Sequence, residues 1–233
     1  MIQKPATKAQ LAKCIDHTLL NPTATEQHIR QLCAEAIQYG FYSVCVMPRW
    51  VEVCADILHE TGIKVCTVTG FPIGADYSRV KAFQADLAIA AGADEIDMVA
   101  DLAAIIAGDE NYLLNDIRTV LRPCQSVRPF VTLKVIIESA ALTTDQIIFA
   151  CKVAQTAGAD YVKTSTGLHP AGGATVEHVQ LMAQSAPKCK IKAAGGIRTA
   201  ADALAMIEAG ASRIGASKSI DIIQGFEPTP SQT

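Results

Sequence analysis

One seven-residue pattern recurs three times along the chain, and it constrains the fold more than any other feature. Ala91–Asp97 reads AGADEID, Ala157–Lys163 reads AGADYVK and Ala209–Gly215 reads AGASRIG. Each copy closes a helical stretch at a glycine, which can take the left-handed conformation that ends a helix. Each then enters a short β-rich run. YGFYSVC and TGIKVCT follow the same plan more loosely. A chain that repeats one αβ junction stacks similar units side by side. The fifth residue after the glycine is Asp97, Lys163 and Gly215 in the strict copies, and Cys45 and Thr67 in the looser ones. Equivalent strand positions share a face and a depth. Asp97 and Lys163 are therefore expected near one level, toward the C-terminal strand ends.

Between the junctions, β-rich runs alternate with helical patterns. Strands are expected at Ile15–Thr18, Tyr42–Met47, Lys64–Thr69, Glu95–Val99, Thr132–Ile137, Tyr161–Lys163, Lys190–Ala193 and Arg213–Gly215. Helices are expected near Glu26–Gln38, Trp50–His59, Ser78–Ala91, Asn111–Ser126, Thr144–Ala157, Val176–Gln184 and Ala200–Ala209, with a last one from about Ser217. Thr7 and Gln10 have the spacing of a capping box that opens a short N-terminal helix. Eight strands with helices between them predict a single (β/α)8 TIM barrel of the α/β class. The 233 residues suit one such domain, with residues 1–6 and 225–233 expected as frayed tails.

Composition excludes several classes. The formal net charge is -3 and no long basic run occurs, so neither nucleic acid nor an anionic membrane is an expected partner. No apolar run reaches the length of a membrane span. The eight cysteines are scattered without a C-x-x-C pair and read as small buried hydrophobes in a reducing cytoplasm. The five histidines lack zinc-site spacing.

Three lysines occur in late strand-like runs: Lys134 in VTLKVII, Lys163 in ADYVKTSTG and Lys192 in KCKIKAAGG. A lysine in an apolar strand is expensive unless paired or functional. One alone could snorkel or be salt-bridged; three on successive strands, with Asp97 on the strand before, suit imine catalysis. A lysine amine must be neutral to attack a carbonyl, and burial or a nearby ammonium disfavours its charged form. A carboxylate can then take a hydroxyl proton. A second theme is glycine-rich: Ala194–Thr199 (AGGIRT) and Gly215–Lys218 (GASK) each follow a strand and open a helix. Loops after the seventh and eighth strands commonly hold phosphate in this fold. Ordinary turn chemistry is the bland alternative for these glycines.

The ordered set IDHTLL (15–20), SVCVMP (43–48), GFPIG (70–74), EIDMV (95–99), LKVIIE (133–138), YVKTSTG (161–167), KAAGGIRT (192–199) and RIGAS (213–217) resembles the deoxyribose-phosphate aldolases, which are class I, Schiff-base enzymes. The resemblance implies reversible cleavage of 2-deoxy-D-ribose 5-phosphate to acetaldehyde and D-glyceraldehyde 3-phosphate, in deoxynucleoside catabolism. It implies that Lys163 forms the Schiff base, that Lys192 tunes it and shares in proton transfer, and that Asp97 relays protons. Asp16 is expected near a substrate hydroxyl, with Lys134 and Thr166 beside the substrate. Gly167, Gly195, Gly196, Gly215, Ser217 and Lys218 are expected around the phosphate. No metal or organic cofactor is implied, and a homodimer or homotetramer is. Where some members carry a lysine after KTSTG, this chain has Leu168, and Lys218 is the expected replacement cation. His169 is expected to shape its loop, and the tail lacks the tyrosine that reaches the site in some members. Altered aldehyde specificity, a phosphate-binding barrel isomerase and a non-catalytic barrel are the competing readings. The isomerase needs no reactive lysine, and a non-catalytic barrel has no use for the intact Asp97, Lys163 and Lys192 set.

Overall fold

The computed structural model describes residues 4–227. Eight parallel strands close into a barrel in chain order, with β8 pairing back to β1. They are β1 (Ile15–Leu19), β2 (Ser43–Val46), β3 (Lys64–Thr69), β4 (Glu95–Val99), β5 (Thr132–Ile136), β6 (Tyr161–Lys163), β7 (Lys190–Ala194) and β8 (Ala211–Ala216). The helices are α1 (Lys8–Ala12), α2 (Glu26–Tyr39), α3 (Val51–Leu58), α4 (Ser78–Ala90), α5 (Leu102–Ala107), α6 (Glu110–Ser126), α7 (Thr144–Ala157), α8 (Val176–Ser185), α9 (Ala200–Glu208) and α10 (Ser219–Gln224). The TIM barrel read from the sequence is the fold observed.

Local chemistry explains the boundaries. Thr143 with Gln146, and Thr199 with Asp202, form reciprocal capping boxes at the starts of α7 and α9. Gly40, Gly108 and Gly158 end α2, α5 and α7 in the left-handed conformation. Thr7 caps α1 through the Gln10 amide, but the Gln10 side chain takes the Ala6 N–H instead of the Thr7 N–H, so only half of that box forms. Helix α5 was not anticipated from the sequence. Its Asp101 N-cap and Gly108 terminus are standard signals, but its six residues fall short of an amphipathic pattern.

Of the tails expected to fray, the described ends make contacts with the barrel. Lys4 pairs with Glu208 at 2.6 Å and Pro5 is buried. At the other end Phe226 is buried in the main apolar core. An aromatic ring gains too much from burial to leave that segment loose. Residues 1–3 and 228–233 lie outside the described residues.

The two faces of the sheet differ in chemistry. Outward residues such as Ile15, Val44, Val65, Ile96, Leu133, Val162, Ile191 and Ile214 join the helices in one apolar core. Inward residues are largely polar. In a barrel of this type the shear advances the level by one residue per strand, so alternate strands supply each interior layer. Followed through the observed register, the upper layer is Cys45, Asp97, Lys163 and Gly215. Beneath it lie Asp16, Cys66, Lys134 and Lys192, and then Ser43, Glu95, Tyr161 and Arg213. The expected common level of Asp97 and Lys163 is thus present, with Cys45 and Gly215 completing it. Thr67 departs from that expectation. It sits on an odd-numbered strand, where the residue at this depth faces outward and its neighbours Cys66 and Val68 face in.

Candidate active site

The interior layers converge on one carboxylate. Asp97 Oδ2 accepts hydrogen bonds from Lys163 Nζ at 2.8 Å and Lys192 Nζ at 2.7 Å. Asp97 Oδ1 accepts from Lys134 Nζ at 2.8 Å and from the Cys66 thiol at 3.2 Å. Burial opposes ionisation of Asp97, but the ammonium groups of Lys134, Lys163 and Lys192 outweigh it and hold the carboxyl well below its ordinary range.

The charges continue downward. Lys192 Nζ lies 2.6 Å from Asp16 Oδ2, an ionic contact rather than a well-directed hydrogen bond. Arg213 Nη1 donates to Asp16 Oδ1 at 2.8 Å and to Glu95 Oε2 at 3.1 Å. Lys134 Nζ lies 2.7 Å from Glu95 Oε2. Burial disfavours the charged form of Lys192, yet Asp16 and Asp97 hold its pKa above the ordinary lysine value. Lys134 is likewise raised against burial, by Asp97, Cys66 and Glu95. Asp16, despite burial, is lowered by Lys192, Arg213 and Lys134.

Lys163 is the one member of this cluster that lines the space at the C-terminal mouth of the barrel. Asp97, Lys134 and Lys192 are fully buried, whereas Lys163 lines a cavity of about 580 Å³ at the C-terminal mouth of the barrel. Its walls come from Thr18–Pro22, Thr166–Leu168, Ala194–Arg198 and Gly215–Ser217. Gly215, in the same layer as Lys163, has no side chain where a Cβ would meet Lys192 Cε at 3.1 Å. The glycine leaves room for the second lysine to reach Asp97 and Asp16.

The glycine loops pack backbone against backbone. Gly195 has φ +86°, and a Cβ there would lie 2.9 Å from Gly173 Cα and 3.3 Å from Gly167 Cα. Gly196 has φ +81° in open space. Among the described residues, the amides of Gly196, Ile197 and Ser217 have no protein acceptor. All three residues line the cavity. The amides of Arg198 and Thr199 are taken by Asp202.

Most of the expected site residues meet here, but not all in the expected way. Thr166, Gly167, Gly195, Gly196, Gly215 and Ser217 line the cavity with Lys163. Asp16 and Lys134 lie beneath it, in contact with Lys192 and Asp97 rather than with the cavity. Lys218 is exposed, 3.7 Å from Asp221, and outside the cavity wall, next to Ser217 which lines it. The arginine in the wall is Arg198, whose position just after the paired glycines was the available signal. Glu138 was also missed. Held at φ +54°, it accepts the Thr166 hydroxyl at 2.6 Å and the Thr166 amide at 3.2 Å, tying the loops after β5 and β6 together. Cys45, Cys66 and Asp97 bring three potential metal ligands together, but the Asp97 oxygens already face three ammonium groups, which repel a metal cation.

Residues 10–226 match the DeoC/LacD family aldolase. The chain belongs to that family. It is 48% identical over 215 residues to the deoxyribose-phosphate aldolase of Thermoanaerobacter sp. (strain X514), covering 92% of this chain and 96% of that one. It is 50% identical over 222 residues to the Micrococcus luteus deoxyribose-phosphate aldolase, covering 93% and 96%. The tetrameric deoxyribose phosphate aldolase from Aeropyrum pernix superposes with a TM-score of 0.88 at 32% identity, covering 95% of this chain and 92% of that one.

Proposed function

We infer that the protein is a carbon–carbon lyase that reversibly cleaves 2-deoxy-D-ribose 5-phosphate to acetaldehyde and D-glyceraldehyde 3-phosphate through a Schiff base on Lys163. The observation that carries the reading is the geometry of that lysine. It alone of the interior charges meets the cavity, and its amine shares a carboxylate oxygen with Lys192. The neutral amine attacks C1 of the open-chain sugar, water leaves, and the protonated imine becomes an electron sink. The C3 hydroxyl gives up its proton and the C2–C3 bond breaks. D-Glyceraldehyde 3-phosphate departs. The remaining enamine is protonated at carbon, and water releases acetaldehyde. Asp97 and Lys192 are the groups placed to move these protons, directly or through one water.

The unpaired amides of Gly196, Ile197 and Ser217, with Arg198 beside them, supply donors for the 5-phosphate. Thr166 presents a hydroxyl fixed by Glu138 to the same space. A weaker preference for phosphorylated substrates is supported by Leu168, which is 60% exposed in the wall where a cation would strengthen phosphate binding. An assembly of two or four copies is part of the proposal, as is a cytoplasmic location. Eight free thiols suit a reducing compartment. Among the described residues no helix is long and apolar enough to cross a membrane.

Incubation with acetaldehyde or 2-deoxyribose 5-phosphate, borohydride reduction and mass mapping test the mechanism. The expected product is an irreversible adduct on Lys163. An adduct elsewhere, or none with active enzyme, overturns it. Lys163→Arg is expected to abolish turnover while the fold survives.

A further inference from the structure

The buried charges form a closed ring. Asp97 meets Lys192, Lys192 meets Asp16, Asp16 meets Arg213, Arg213 meets Glu95, Glu95 meets Lys134, and Lys134 returns to Asp97. Signs alternate at every step, so the ring is neutral by itself: Lys192, Arg213 and Lys134 balance Asp97, Asp16 and Glu95. Lys163 hangs on the ring at Asp97 as a supernumerary cation. Releasing one proton from Lys163 leaves the whole interior balanced.

The lower half of the ring has no contact with the cavity at the C-terminal mouth. Arg213 and Glu95 belong to the lowest interior layer and line a separate cavity of about 490 Å³ at the opposite mouth. Arg213 is held there on several sides. Its guanidinium lies 3.5 Å from the Tyr42 ring centroid, and Nη2 donates to Tyr161 Oη at 3.2 Å. This restraint keeps one guanidinium nitrogen on both Asp16 and Glu95.

We propose that Arg213 and Glu95 are positioning residues for the imine chemistry, setting from the far mouth of the barrel the charge balance that frees the Lys163 amine. The proposal rests on the Schiff-base reading of Lys163. Its physical content is the sign of the interior excess. Without Arg213 the remaining three lysines are matched by three carboxylates while Lys163 stays protonated, so the driving force for proton release is lost. Without the Glu95 charge the excess doubles, and release is favoured further. The ionisable groups that face the ring are Asp16 from β1, Cys45 from β2, Cys66 from β3, Glu95 and Asp97 from β4, and Lys134 from β5. Tyr161 and Lys163 come from β6, Lys192 from β7 and Arg213 from β8. Tyr42 and Lys190 stand at the lower mouth.

The test is the pH dependence of borohydride trapping by acetaldehyde, with kcat, KM and thermal unfolding measured alongside. Arg213→Met is expected to move the half-maximal pH for trapping upward, and Glu95→Gln to move it downward. Each shift is about one pH unit, the size expected for a unit charge at ~10 Å in an effective dielectric of about 20. At neutral pH Arg213→Met should lose about tenfold in kcat, recovered at higher pH, with KM little changed. Arg213→Lys keeps the charge and should restore the parent profile. A merely structural role would lower activity in all variants without opposite pH shifts, and that result overturns the proposal. If Arg213→Met does not fold, the near-isosteric Glu95→Gln decides alone: no acid shift refutes it. Absence of trapping on Lys163 in the parent enzyme would instead refute the Schiff-base mechanism.

Discussion

Gly195 and Gly196 are adjacent, share almost the same positive φ, and line the same cavity, yet their surroundings differ completely. That difference allows the cost of conformation to be separated from the cost of close approach. Alanine at Gly196 meets no atom within 4 Å, so Gly196→Ala carries only the left-handed backbone penalty, about 1–2 kcal/mol. Alanine at Gly195 adds a Cβ 2.9 Å from one backbone Cα and 3.3 Å from another. Neither neighbour is a flexible side-chain tip, so the loops after β6 and β7 must separate. Overpacking of this kind adds about 1–3 kcal/mol. At ~2–4 °C per kcal/mol for a chain of this size, Gly196→Ala should lower Tm by about 2–8 °C. Gly195→Ala should lower it by a further ~2–12 °C on the same scale. The assay is calorimetric or circular-dichroism melting, with KM for 2-deoxyribose 5-phosphate measured in parallel. Gly195→Ala should raise KM more, because it displaces Gly167 and Gly173. Equal Tm losses in the two variants would refute the backbone-contact argument, and a larger loss in Gly196→Ala would reverse it.

Three further outcomes are expected. Asp97→Asn should destabilise the protein at pH 7 and flatten the acid limb of its stability profile. A carboxyl lowered in the folded state contributes stability that is present above its unfolded pKa near 4 and lost as pH falls toward the folded value; urea unfolding from pH 7 to pH 2 checks this, and an unchanged slope contradicts it. Asp116→Ala should cost about 3–5 kcal/mol, because it strands the fully buried Lys81, which bridges α4, α6 and the Val99 carbonyl at the end of β4; chemical denaturation measures it, and a loss below 1 kcal/mol would show that the ion pair relaxes. Leu168→Lys should raise kcat/KM for 2-deoxyribose 5-phosphate relative to 2-deoxyribose by about tenfold, the scale of one charge-assisted contact; a ratio unchanged by the substitution would place the phosphate elsewhere.

Much of this architecture was legible because the barrel interior is polar. In EIDMV the acidic residues alternate with apolar ones; Lys134 sits between outward-facing Leu133 and Val135, Lys192 between Ile191 and Ala193, and Lys163 follows outward-facing Val162. That period-2 signal and the repeated αβ junctions define strands and their inward faces together. The repeat even placed Asp97 and Lys163 at one depth. It failed at Thr67 because shear offsets odd-numbered strands by one residue, which a local pattern does not encode. The ring of charges was illegible for the same reason. Asp16 and Arg213 are 197 residues apart, and only barrel closure brings them together. Arg198 sat in a motif already recognised, but nothing in the sequence says which side chains border the cavity. Glu138 closes the LKVIIE stretch, but no local pattern tells that its side chain reaches Thr166 across two loops.

The pairing of β8 with β1 has a consequence for folding. The ion pair between Arg213 and Asp16 joins the last strand to the first across the seam of the cylinder. Every other strand can find its partner from a neighbouring stretch of chain, whereas this junction must await the whole polypeptide and the loop entropy that its closure costs. A partly wound sheet could hold Asp97 beside Lys134 and Lys163, yet it would leave Asp16 without its arginine. Recovery of aldol activity after denaturation should therefore lag behind recovery of helical and strand signal. The last step to return would be the one that seals the cylinder.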